Sequence, residues 1–147
     1  MARRLKFILA AGVMIVALAC LFLVIWSLIT PAPVNPPVVS EPQWDSPRTR
    51  ELFWRACADC HSNETVWPWY TRLPVAGQLI RFDVLEGRSR FNVSEWGQRR
   101  NAAHEAVEIL LEGEMPPGQY LLLHPAARLT GSEKQELADG MGRSFGR

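Results

Sequence analysis

The sequence predicts an all-α domain carried behind one apolar N-terminal helix and a proline-rich linker. Three observations lead there. Residues 7–29 contain no charged side chain. In the remainder, apolar residues recur at three- and four-residue spacing between helix-cap signals, and no stretch alternates apolar and polar residues as a strand would.

The first element is the uncharged run. Its 23 residues, at about 1.5 Å each, give roughly 34 Å, enough to cross a bilayer. Arg3, Arg4 and Lys6 precede it and favour a cytoplasmic N-terminus, with the rest of the chain exported. In a bacterium this places the C-terminal part in the periplasm, tethered to the inner membrane by a single span. Ala17-Leu18-Ala19 resembles a cleavage site, Ala19-Cys20 a lipoprotein site, and the paired arginines a twin-arginine signal. The apolar run continues through 20–29, so an uncleaved signal anchor over 1–29 is the reading.

Six of the eleven prolines lie between residues 30 and 47. Such a segment favours extended polyproline geometry, and 30–46 reads as a linker lifting the domain off the membrane. The domain itself, 47–147, opens at Ser46-Pro47, an N-cap followed by proline at the first helical position. Leu52, Phe53, Ala56, Cys57 and Cys60 continue at helical spacing.

That helix ends or is interrupted at Cys57-Ala58-Asp59-Cys60-His61, which reads as a c-type haem attachment site. Two cysteines three positions apart share one side of a helical turn, within reach of two vinyl groups on a porphyrin edge. His61 then offers an imidazole to the iron from the same face. A bare Cys-x-x-Cys also fits a thiol redox pair or half of a zinc site. The only other cysteine, Cys20, lies in the apolar run, and no βαβ pattern surrounds the motif.

The aromatics of Trp67-Pro68-Trp69-Tyr70 follow, read as packing or as a docking surface for a redox partner. Residues 74–86 read as helix, with Val75, Leu79 and Phe82 on one face and Gly87 as its stop. Ser94 is a candidate cap for the next helix, whose stripe is Ala103, Ala106, Val107, Leu110 and Leu111, closed by Gly113. The last helix opens with the capping-box pattern Thr130-Gly131-Ser132-Glu133. Leu137 and Met141 form its apolar face, and Gly140 and Gly142 weaken its end. The roughly one hundred residues after Ser46 make a modest core, which a buried haem would enlarge. The net charge of +1 gives no reason to invoke nucleic acid.

The chain resembles the bacterial haem-binding domain family of small c-type cytochromes. The resemblance rests on Cys57 to Thr65, Trp67-Pro68-Trp69-Tyr70, Asp83-Val84, Gly87-Arg88 and Phe91 to Trp96. It continues through Met115-Pro116-Pro117, Tyr120, His124-Pro125-Ala126 and Leu129-Thr130, and covers residues 46–137. It implies a cytochrome c-like helical fold around covalent haem c.

The second axial ligand is then the open question. Met115 lies in the Met-Pro loop directly after a helix, and in many c-type cytochromes such a methionine closes over the far side of the haem. A thioether is a soft, neutral donor, and the prolines stiffen the loop. His124 is the alternative ligand or else a loop anchor; His104 and Met141 are weaker candidates, and an open sixth position is the remaining one. No acid, base or nucleophile constellation is present, so the expectation is a single-electron carrier with an unidentified redox partner protein and no enzymatic activity. The alternatives are a haem-based gas or redox sensor, or a haem subunit of a larger membrane complex.

Overall fold

The computed structural model describes residues 2–97 and 103–146, with the side chains of Ala2 and His104 outside that description. The chain divides into two compact units, Met1–Val34 with Trp67–Arg81, and Asn35–Val66 with Phe82–Arg147.

In the first unit, helix α1 (Ala2–Ile29) is long and apolar enough to cross a membrane, with a mean hydropathy of 3.1 in its most apolar window. Its side chains are exposed as far as Ile25, and the first covered residues are Trp26 and Ser27. A 3-10 turn, Trp69–Arg72, packs against α1. Thr71 is buried there, its hydroxyl donating to the Pro68 carbonyl at 2.7 Å. Arg81 donates to the carbonyl of Pro31 at 2.9 Å, just beyond the end of α1.

The second unit is all-α. It contains α2 (Pro47–Ala56), α3 (Ala58–His61), the C-terminal part of α4 (Ala76–Arg90), α5 (Ala103–Glu112), α6 (Gly118–Leu123), a 3-10 turn (Pro125–Ala127) and α7 (Gly131–Phe145). Among the described residues there is no strand, only an isolated bridge between Ser40 and Glu95. The caps follow the sequence. Ser46 accepts from the Thr49 N–H at 3.1 Å with Pro47 behind it, and Thr130 and Glu133 close a reciprocal capping box. Gly113, at φ +84°, ends α5 in a left-handed turn. The Gly113 and Glu114 amides return to the carbonyls of Leu110 and Ile109, the paired bonds of a Schellman ending.

The core joins Leu52 and Phe53 of α2, Leu110 of α5, and Leu137, Ala138 and Met141 of α7 with Phe91 and Val93. Phe53, Phe91, Phe145, Trp44 and Trp96 form an aromatic cluster with ring centroids 4.9 to 6.4 Å apart. Tilted and edge-on rings of this kind add to the stabilisation from burial.

Four sequence expectations change. The linker expected over 30–46 is not a free spacer in its second half. Its prolines cannot donate, but Val39 and Ser40 keep their amides and bond the Ser94 carbonyl at 2.9 and 3.2 Å, and Trp44 joins the core. Ser94 is buried and among the described residues caps no helix; its hydroxyl accepts from the amide of Asn63 at 2.9 Å. Helix α4 begins one residue after Val75, runs through Gly87 to Arg90 and leaves Leu79 and Phe82 exposed while it buries Val84; Val75 is exposed as well. Gly87 permits that approach: a Cβ there would sit 2.6 Å from the Cys60 carbonyl oxygen. Gly140 likewise lies mid-helix, where a Cβ would collide with the side chain of Thr49.

Candidate functional site

A break between two helices presents the motif. Cys57 ends α2, its amide bonded to the Phe53 carbonyl at 2.8 Å, and with φ −124° it turns the chain into the single turn of α3. The amides of Cys60 and His61 both return to the Cys57 carbonyl, at 3.2 and 3.0 Å. Cys57 and Cys60 are half-buried free thiols. Burial pushes Cys57 up to about 12 and Cys60 up to about 11, the nearby carboxylates of Asp59 and Asp83 adding to the second. Reactive dithiol pairs have the opposite property, a depressed pKa that exposes thiolate at neutral pH. The zinc alternative lacks further ligands, since no group of three or more His, Cys, Asp or Glu side chains is assembled for a metal among the described residues.

His61 is fixed from two directions. Its Nδ1 lies 3.0 Å from the Phe91 carbonyl, and the Val93 amide donates to its own carbonyl at 2.9 Å. A carbonyl only accepts, so Nδ1 carries the proton and Nε2 keeps its lone pair. The ring also packs on Phe91, centroids 5.3 Å apart. Burial holds the imidazole below its usual pKa, against hydrogen bonds to the backbone of Phe91 and Gly87. The side chain is therefore a neutral, oriented nitrogen donor, the form that binds a metal.

The residues after the motif secure it. Ser62 donates to the Ala58 carbonyl at 2.7 Å, and Thr65 to the Asp59 carbonyl at 2.6 Å. Arg88 of α4 reaches the Ser62 carbonyl with Nε and the Thr65 hydroxyl with Nη2, both at 2.8 Å. Asn92 donates to the Asn63 side-chain oxygen at 2.9 Å. Asp59, the second variable position of the motif, takes the Val66 amide on one oxygen and the Tyr120 hydroxyl on the other, both at 2.8 Å.

Tyr120 thereby ties α6 to the motif, and His124 supports it. The two rings stack with centroids 4.0 Å apart, and His124 Nδ1 donates to the Tyr120 carbonyl at 3.0 Å. Met115 lies in the loop between α5 and α6 with 38% of its surface exposed, whereas Met141 is 2% exposed within the core. Of His104 only the backbone is described.

These residues fit a haem. Two neighbouring protonated thiols and an imidazole whose Nδ1 is held by the Phe91 carbonyl lie on one turn. The same unit also leaves Phe82, Leu85, Leu122 and Leu123 between 64% and 78% exposed. That is apolar surface available for a flat macrocycle to cover. Asp59, Phe91, Arg88 and Tyr120 had no assigned role in the sequence. Each makes a contact across 23 to 61 positions, which no local spacing announces.

Comparison with curated proteins and with solved structures finds no match. The model of the haem-binding domain family matches residues 21–143, from within α1 to the last turns of α7. The motif, the oriented histidine and this match agree, and the chain belongs to the haem-binding domain family.

Proposed function

We propose that the protein is a membrane-tethered monohaem c-type cytochrome. It passes single electrons at the periplasmic face of a bacterial inner membrane and catalyses no bond-making reaction. The observation that supports this most is His61, whose Nδ1 is committed to the Phe91 carbonyl on the same helical turn that carries both thiols. Cys57 and Cys60 would hold haem through two thioether bonds, each thiol adding S–H across one vinyl group. His61 Nε2 would bind its iron. When bound, haem supplies a one-electron couple, and the surrounding residues set its potential and access. Arg3, Arg4 and Lys6 before α1 support the orientation.

Met115 would supply the second iron ligand in this reading. Its loop leaves α5 through the Gly113 turn, is stiffened by Pro116 and Pro117, and enters α6, which Tyr120 holds to Asp59. His124 acts as the anchor of that loop through its bond to Tyr120. A second reading rests on the exposure of Met115: a methionine that stays in solvent leaves an open sixth position, as a gas sensor requires.

Absorption spectra and carbon monoxide binding separate the two. A carrier with Met115 bound shows the weak far-red sulfur-to-iron band when oxidised and binds carbon monoxide slowly when reduced. Met115→Ala then loses the band, admits carbon monoxide and has a lower reduction potential. A native protein with no such band and rapid gas binding would replace the carrier with the sensor.

A further inference from the structure

Residues 67–81 are unusual for a surface segment. Trp69, Val75 and Leu79 are 75%, 72% and 60% exposed. The segment also carries Trp67 and Tyr70, two arginines, Arg72 and Arg81, and no acidic residue. Its neighbour in the fold is the N-terminal helix. It belongs to the same compact unit as α1, its 3-10 turn packs against α1, and Arg81 bonds the Pro31 carbonyl two residues past the end of that helix. The only α1 side chains with cover after a fully exposed run are Trp26 and Ser27, at its C-terminal end. If α1 spans the bilayer, this segment lies where the chain leaves it.

We propose that residues 67–81 form a second membrane contact, seated in the lipid interface beside the exit of α1, with Trp69, Val75 and Leu79 among the upper acyl chains and Arg72 on lipid phosphates. The chemistry suits that layer. Tryptophan and tyrosine rings favour the headgroup level, where one edge is apolar and the other wet. Arginine matches phosphate with a planar, multiply donating group that stays charged. Two arginines in a segment without an acidic residue favour anionic headgroups. The inference rests on the membrane-spanning reading of α1 and is independent of haem chemistry. Its consequence is a chain held to the membrane at two places.

The test uses the full chain in vesicles of phosphatidylethanolamine and phosphatidylglycerol, with a photo-crosslinking amino acid placed singly at Val16, Trp69, Leu79 or Gln135. The expected result is phospholipid adducts from Val16, Trp69 and Leu79 and none from Gln135, with far-UV circular dichroism unchanged. Adducts from Val16 alone overturn the proposal and leave the span intact. Adducts from none of the four overturn the span as well. Adducts to protein at Trp69 and Leu79, whether to a second copy or to another chain, also overturn it and assign the face to a protein partner.

Discussion

Gly87→Ala is a direct probe of how α4 meets the motif. The new Cβ would lie 2.6 Å from the Cys60 carbonyl oxygen, 3.0 Å from its Cβ and 3.2 Å from its carbonyl carbon. Two of these three atoms are backbone and cannot rotate away, so α4 must retreat by roughly 0.8 Å before the contact is ordinary. Overpacking of this kind costs about 1–3 kcal/mol, and a rigid obstruction belongs in the upper part of that range. Alanine returns about 1 kcal/mol through its better helix propensity. The expected net loss is therefore about 1–2 kcal/mol. At about 4–8 °C per kcal/mol for a domain of this size, the melting temperature should fall measurably. Gly142→Ala is the control, since nothing lies within 4 Å of a Cβ there; it should be neutral or stabilise by up to about 1 kcal/mol. Paired thermal melts of the haem-loaded proteins decide the matter. A Gly87→Ala protein as stable as the parent would refute the close approach of α4 to Cys60.

Two further outcomes are expected. Tyr120→Phe removes the donor to Asp59 Oδ2 and should cost about 1–2 kcal/mol in a denaturant titration, near the lower end for bonds to charged groups because the site is half-open to water. Glu133 is held down to about 2 by the Thr130 backbone amide first and by Arg55 next. A depressed carboxylate stabilises the fold above its usual 4.5, and that stability is lost as pH falls through the folded value near 2. Between pH 5 and 2 the parent should therefore lose more stability than Glu133→Gln, and an identical slope in the two proteins would contradict the capping role.

What was legible in the sequence was local. Ser46, Thr130 with Glu133, and Gly113 declare their roles because a cap is completed by residues within one turn. The Cys57-to-His61 spacing is legible for the same reason: five consecutive residues carry the chemistry. What escaped was contact between distant segments. Gly87 reads as a stop and Gly140 as a weakness, yet each is a place where one backbone passes close to another part of the chain. Ser94 has the side chain of a cap, but its partner is Asn63, 31 residues away. The spacing of Leu79 and Phe82 correctly marks a helix, which starts just after Val75, but not the side it buries at Val84, which follows from the close approach of Gly87 to Cys60. Tyr120 and Asp59, 61 positions apart, carry no signal of their pairing.

The central claim is covalent haem on Cys57 and Cys60, and intact-protein mass spectrometry under denaturing conditions tests it most directly. The chain, expressed with a cytochrome c maturation system, should keep the added mass of one haem after unfolding in acid and organic solvent. A protease should then release that mass on the peptide containing residues 57–61, and a protein with both Cys57→Ser and Cys60→Ser should carry none. A native protein that returns to the bare chain mass on denaturation would contradict the account, leaving a haem held without thioether bonds.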